Sequence, residues 1–540
     1  MTGLGAVGVL TLILAAVNYV NLATARATLR AREVALRKAV GASQAALVAQ
    51  FMTEALVTVL FAGLIGLALC ELALPAINAA GGTDLRINYL GEESTPLFLA
   101  GVVVLVGLGA GVYPAWVLTR FQPAQVLASA RSPGGGRASG RVREVLVVLQ
   151  FAVATAFMVA TGVIISQIHY LRVADLGFSR QGVINVNAFG DAQISAAQQT
   201  SLLSAWRALP GVVAVTGSDA APGGGGGVDT EGFKRPGAPG AGLAFQQIST
   251  RPDFFRAYGA RLLAGRLLDL SHGADDTPQG PAIGVDAPAS TLAHSVVINR
   301  AAATALGFHN VSDAVGQSVY EARMQGGFNP LTVAGVVDDL RFYSPRDPIH
   351  ATVYFLRNQD FRPQIAGVRY AADDPQEIIA WLKAVWRKIA PGAPFSAATI
   401  DNNLEAFYRP DEQRARLFSI GSALSVLIGC VGLYGLAAFN TARRFREIGI
   451  RKTLGASTTD ILKLLLIQIL RPVVIANLIA WPIAYAAMRA WLSSFDQRIA
   501  LNPLFFIFAS ILALAVACAT VIAQSLRLAQ SEPAKALHHE

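Results

Sequence analysis

The chain has 540 residues, of which 53% are hydrophobic and only 15% charged, with a mean hydropathy of +0.46. Soluble domains carry about 25% charged residues, so this is not a large cytosolic enzyme, and its apolar content excludes a disordered chain. The formal charge is nevertheless +9, and the placement of those charges is informative.

Seven apolar stretches, at about 3–25, 51–74, 96–119, 145–168, 416–439, 464–488 and 503–526, reach the roughly 20 residues a helix needs to cross a bilayer. The first is not a cleaved signal peptide: it has no basic start, and Arg26, Arg30, Arg32, Arg37 and Lys38 follow it as a stop-transfer pattern. Basic clusters recur between the third and fourth stretches (Arg120, Arg131, Arg137, Arg141, Arg143), after the fifth (Arg443, Arg444, Arg446, Arg451, Lys452) and after the seventh (Arg527, Lys535). The alternate segments, 75–95 and 489–502, are nearly balanced. Lysine and arginine mark the cytoplasmic side, which places the basic segments and the C-terminus inside and the long insert 169–415 outside. That insert holds 21 Lys+Arg against 23 Asp+Glu, the rest of the chain 23 against 12. The positive charge is therefore a topology label and gives no support to nucleic-acid binding, which calls for a basic soluble face.

The insert predicts an extracytoplasmic α/β domain. Residues 182–187, 331–337 and 351–355 read as strands rich in β-branched and aromatic residues. Residues 197–208 and 376–389 read as amphipathic helices. Pro222–Gly227 reads as a flexible surface loop, because no Gly-Lys-Ser/Thr follows to make it a phosphate cradle. Cys70, Cys430 and Cys518 all fall in the apolar stretches, so the insert folds without disulfides. The histidines show no zinc-type spacing. The pairs Asp275-Asp276, Asp338-Asp339 and Asp373-Asp374 read as solvated turns rather than acid–base machinery, and no nucleophile or metalloprotease motif occurs. The sequence thus predicts no enzyme, no metal site and no bound cofactor.

An internal repeat carries the functional reading. Arg32-Glu-Val-Ala-Leu-Arg-Lys-Ala-Val-Gly-Ala-Ser43 returns as Arg446-Glu-Ile-Gly-Ile-Arg-Lys-Thr-Leu-Gly-Ala-Ser457, an offset of 414 residues, and Pro123-Ala-Gln-Val-Leu127 is echoed by Pro533-Ala-Lys-Ala-Leu537. The membrane part is two copies of a three-span unit plus one extra span. Glu33 with Arg37, and Glu447 with Arg451, sit at i and i+4 in the favourable order for helical ion pairs. Gly41 and Gly455 then end the helix, and Ser43 and Ser457 are placed to cap the next one, with Asp460 completing a capping box. A positive-inside anchor explains the arginines but not the recurring Glu, Gly and Ser, so a docking element is favoured. Glu54, Glu71 and Arg471 fall near span ends, where reaching the interface is the simpler explanation.

With this motif present twice, the chain resembles the permease subunit of ABC transporters of the MacB/FtsX type. Asn18-Tyr-Val-Asn-Leu22 with Thr24-Ala-Arg26, Gly432-Leu-Tyr-Gly-Leu436, and Ala476-Asn-Leu-Ile-Ala-Trp-Pro-Ile-Ala-Tyr485 with Trp491-Leu492 match further. Leu209-Pro-Gly-Val212, Gly265-Arg266, Val297-Ile-Asn299 and Gly335-Val-Val337 resemble the family's periplasmic core domain. The resemblance implies first and second FtsX-like repeats at 1–128 and 416–540, a cytoplasmic linker at 129–144, a span at 145–168 and a MacB-like periplasmic core domain at 169–415. It implies a bacterial inner-membrane location and an ATPase-coupling role for Arg32, Glu33, Arg37, Gly41, Ser43, Arg446, Glu447, Arg451, Gly455 and Ser457. No Walker A pattern occurs, so ATP is expected to be used by a separate ABC ATPase partner. Compared with the two-repeat form, a span and an outer domain ahead of the first repeat are missing, which predicts an N-terminal truncation, a second permease half or a dimer mate. Export or extraction of a substrate is the expected function. The alternative is mechanotransmission to a periplasmic partner without transport.

Overall fold

In this computed structural model the described residues are 2–27, 30–81, 84–91, 94–119, 137–224, 226–277, 293–322, 327–344, 346–358, 361–443, 451, 454 and 457–529. The chain forms two compact units, one of residues 1–167, 411–491 and 500–540, the other of residues 168–410 and 492–499.

The first unit is helical. Before the insert come α1 (Thr2–Ala27), α2 (Ala31–Ala39), α3 (Gln44–Gly81), α4 (Thr95–Thr119) and most of α5 (Arg137–Val173). Six described helices, α3, α4, α5 and three that follow the insert, are long and apolar enough to cross a membrane; α1 contributes a shorter apolar stretch, Gly8–Thr24. A helix satisfies its own peptide groups, which hydrocarbon requires, and several helices overrun the apolar stretches by many residues. α3, expected over 51–74, spans 38 residues: helix formers in Gln44–Gln50 extend its start, and it continues through Pro75 to Gly81.

Small residues knit the bundle core: Ala152, Ala437, Ala476, Ala480 and Ala517 lie among Val147, Phe151, Leu433, Val473 and Val521. In lipid, where burial of apolar surface drives nothing, close backbone approach and buried hydrogen bonds supply the cohesion. The buried Thr155 hydroxyl donates to Asn477 Oδ1 at 2.8 Å. Asn18 lies against Gly432, and a Cβ added there would come within 2.5 Å of Asn18 Oδ1. These two residues occupy equivalent positions of the repeat.

The second unit holds, in chain order, β1 (Val183–Val186), α6 (Ala196–Arg207), β2 (Val212–Ser218), β3 (Asp229–Lys234), β4 (Leu243–Thr250), α7 (Phe254–Tyr258), β5 (Leu262–Gly265), β6 (His294–Asn299), α8 (Arg300–Ala305), β7 (Ser318–Ala322), β8 (Phe328–Val337), β9 (Thr352–Leu356), β10 (Ile365–Tyr370), α9 (Pro375–Ile389) and β11 (Ala397–Thr399). The expected strands and helices are present as β1, β8, β9, α6 and α9. Two layouts share the sheet. β11, β1, β10 and β2 pair antiparallel, and α6 and α9 contribute to one core with them, Trp206 and Trp386 stacking at 6.1 Å. β4, β3, β7, β8, β6 and β9 pair in a ring, closed by the parallel β4–β9 ladder. Closure leaves these six strands without a free edge. Phe233, Phe245, Val296, Ile298, Val333 and Phe355 build the ring's core.

After the insert follow α10 (Ile400–Arg443), α11 (Thr458–Leu492) and α12 (Pro503–Ala529). The glycine-rich stretch departs from expectation. Ala220, Ala221 and Pro222 are buried, the Pro222 carbonyl accepts from Asn185 Nδ2 at 3.2 Å, and Gly223 and Gly224 lie against Ile400, Leu404 and Phe407 of α10. Glycine here lets the backbone approach a helix rather than wave in solvent.

Trp206→Ala removes a fully buried indole from the stack, and should cost the second unit about 3–5 kcal/mol. Chemical denaturation of the detergent-purified chain, followed by near-ultraviolet circular dichroism, measures it.

Candidate functional site

The first copy of the repeated segment is short and sharply bent. α2 carries the Glu33–Arg37 ion pair at 2.7 Å, and Arg37 also donates to Gln50 Oε1 at 2.6 Å on α3. Val34 and Ala35 are buried, Val34 packing on Leu47 with Ala42 and Phe51 beside it. The helix stops where Gly41 adopts φ +99°, with the Ala42 N–H donating to the Arg37 carbonyl at 2.9 Å and the Gly41 N–H to the Lys38 carbonyl at 3.1 Å. Ser43 then accepts from the Ala46 N–H at 3.2 Å and opens α3. Arg30, just before α2, pairs with Glu54 on α3 at 2.7 Å, so Glu54 has a partner within the same bend. The Arg32 side chain lies outside the described residues.

Of the second copy, Arg451, Leu454 and Ser457 are described, while Arg446, Glu447 and Gly455 lie outside, as do Pro123–Leu127 and Pro533–Leu537. Ser457 and Asp460 form a reciprocal capping box: the Asp460 N–H reaches Ser457 Oγ at 3.2 Å and the Ser457 N–H reaches Asp460 Oδ2 at 3.1 Å. The Ser457 hydroxyl holds the Asp460 carboxyl below its ordinary range.

Sequence reasoning misses one pair. Val40 is 83% exposed and Leu454 82%, each immediately before the motif glycine and separated by the same 414 residues. An apolar residue in that place in both copies is the available signal. Each copy of the repeat therefore leaves an apolar side chain, Val40 or Leu454, largely exposed.

Two of the three aspartate pairs are not solvated turns, which corrects the expectation. Asp275 is fully buried and bidentate with Arg266, the Nη2–Oδ1 arm at 2.9 Å, and its neighbour Asp276 accepts from the Asn358 N–H at 2.9 Å. Asp338 is held by Arg261 and, at 2.9 Å, by Arg300, while Asp339 accepts from the Ala301 N–H at 2.9 Å. The third pair stays exposed, with Asp374 capping α9. Burial pushes the Asp275 and Asp338 carboxyls up, but their arginine and backbone N–H hydrogen bonds outweigh it and hold both below the usual range. Each is an internal brace. Among the described residues no His/Cys/Asp/Glu cluster could hold a metal ion.

Residues 5–123 and 419–533 match the FtsX-like permease C-terminal family. The macrolide export ATP-binding/permease protein MacB of Azoarcus sp. (strain BH72) is 34% identical over 127 residues, 23% of this chain and 18% of that protein. The protein of the same name from Psychrobacter cryohalolentis is 29% identical over 125 residues, again 23% and 18%. The match thus spans less than a fifth of these relatives' length. The periplasmic region of MacB from Actinobacillus actinomycetemcomitans aligns with 43% of this chain and 94% of its own at 14% identity, with a TM-score of 0.29. Both matched segments are similar to FtsX-like permease repeats, and together they make up less than half of this chain.

Two outcomes follow from this geometry. Glu33→Gln should change stability by under about 0.5 kcal/mol, because the pair is half exposed, whereas Gly41→Val should cost about 1–2 kcal/mol through its left-handed backbone; thermal unfolding of both variants in detergent separates them. A carboxylate depressed in the fold stabilises above its unfolded pKa of about 3.9 and loses that contribution as pH falls through the folded value. The stabilisation supplied by Asp275 and Asp338 should therefore be intact from pH 7 to about 5 and fall away below about 4. Asp275→Asn should flatten that acid limb in denaturation curves taken across pH.

Proposed function

We propose that this chain, whose two repeats belong to the FtsX-like permease family, is the membrane subunit of an ABC transporter. A separate ABC ATPase docks on the two bends, and its ATP-driven closure moves the outer unit, residues 168–410 with 492–499, to export or extract a substrate. The basic clusters favour placing both bends and the C-terminus on the cytoplasmic side of the inner membrane, with residues 169–415 as the periplasmic core domain. The observation that carries the reading is the recurrence, 414 residues apart, of an exposed apolar side chain (Val40, Leu454) beside a motif glycine and a capping serine.

Stability does not demand those residues. An exposed ion pair contributes under about 1 kcal/mol, and a large apolar residue standing in water contributes nothing to the fold that bears it. Docking does demand them. A short helix braced by Glu33–Arg37, and tied to α3 through Arg37–Gln50 and Arg30–Glu54, is a rigid lever head. Force applied there passes directly into α3. Two such heads suit a partner that presents two equivalent grooves, as a dimer of ATPase subunits does.

Val40→Glu together with Leu454→Glu should lower recovery of the ATPase in affinity purification of the full chain by about tenfold or more, the scale of a lost interface anchor. Glu33→Gln should leave recovery near normal and weaken stimulation of ATP hydrolysis. Undiminished recovery and stimulation in all variants would sink the assignment.

A further inference from the structure

The chain passes between its two units four times, at 167/168, 410/411, 491/492 and 499/500. The first two passages lie within α5 and α10, unbroken helices. Their outer ends are fixed in the outer unit by Arg172–Glu405 at 3.0 Å and by the Tyr408 hydroxyl donating to the Leu171 carbonyl. The other two bracket residues 492–499, the connection between α11 and α12. Eight residues joining two spans need only turn the chain round, yet these are built into the outer unit.

The attachment is specific. Arg341, with 4% of its side chain exposed, donates to the Asp347 carbonyl at 2.7 Å and to Asp496 Oδ2 at 3.1 Å. Arg346 covers the Phe495 ring at 4.1 Å and donates to Ser494 Oγ at 2.9 Å. Phe495 itself is 3% exposed. The same stretch holds the outer unit together elsewhere: the Arg341 N–H donates to the Leu176 carbonyl, just beyond α5, and the Arg341 carbonyl accepts from Gly223 in the loop against α10. Arg341, Arg346 and Asp347 therefore gather the α5 end, the α10 end and the 492–499 connection on one strap.

We infer that Arg341 and Asp496, with Arg346 and Phe495, form a third mechanical link, through which the last two spans drive the outer domain alongside α5 and α10. A buried guanidinium oriented by backbone carbonyls offers its remaining N–H groups in a fixed direction. Asp496 thus meets a preset donor, and its loss leaves a buried charge short of its anion. Arg341 and Asp496 are positioning residues: they touch no substrate, and they determine whether movement of α11 and α12 reaches the strap.

Two arms test this on the full-length chain in detergent. Trypsin cleavage after Arg498, followed by mass spectrometry, reports how often the connection leaves its seat, because cleavage tracks the opened population. Asp496→Ala should speed that cut about tenfold, the scale of losing a hydrogen bond to a charged group. Cuts elsewhere in the outer unit should be unchanged, and Asp496→Glu should restore protection. Equal cleavage in Asp496→Ala and wild type would overturn the link, and so would accelerated cleavage throughout the outer unit. The second arm rests on the proposed ATPase docking. Asp496→Ala should recover the ATPase normally but lose at least half of the ATP-dependent change in cleavage of residues 168–410. A full ATP-dependent change in that variant would overturn the mechanical role. If wild type recovers no ATPase, the docking proposal fails while the first arm still decides the link.

Discussion

A peptide group in hydrocarbon has no water to bond, so every backbone donor and acceptor there must find its partner within the chain. That constraint sorts this sequence before any side chain acts. It forces the apolar stretches into helices and expels strands, turns and most charges to the aqueous sides. It also explains why side chains that cohere in the bundle are small or hydrogen-bonded, as with Ala476, Ala480 and the Thr155–Asn477 pair. Outside the bilayer the situation reverses. There the ordinary hydrophobic core returns, with Trp206 and Trp386 at its centre, and aspartates that read as solvated are drawn inward by arginines.

The two bends belong to neither regime. The first is a short polar helix ending in a left-handed turn, and the described end of the second is a capping box; each leads into the helix that follows, and Val40 and Leu454 are largely exposed there. Rigidity and exposure together are what the proposed docking of an ATPase requires. The strap of Arg341, Arg346 and Asp347 is the counterpart in the second unit: a place where chain segments far apart in sequence are hydrogen-bonded together.

Most of the architecture is legible in the sequence because its signals are local. Apolar length marks the spans, β-branched and aromatic enrichment marks β8 and β9, and the repeat marks the bends. What stays hidden depends on contacts between distant residues. Closure of the six-stranded ring rests on β4 lying parallel to β9, more than a hundred residues later, and no local pattern names a strand's partner. The burial of Pro222 and Gly223 is decided by Ile400 and Leu404, so composition alone makes that loop look free. Asp275 reads like any acidic turn until Arg266 is folded over it. Val40 and Leu454 are in plain view, but apolar residues at a span's edge attract no notice until the fold leaves them bare.

The pairing of Asn18 with Gly432 has a consequence for how the halves recognise each other. Two identical repeats meeting at equivalent positions would set the same side chain on both sides, and two asparagines would collide where a glycine now leaves room. Difference at this one contact turns a self-complementary surface into a lock and a key. At this one contact the first repeat carries the side chain that the second lacks.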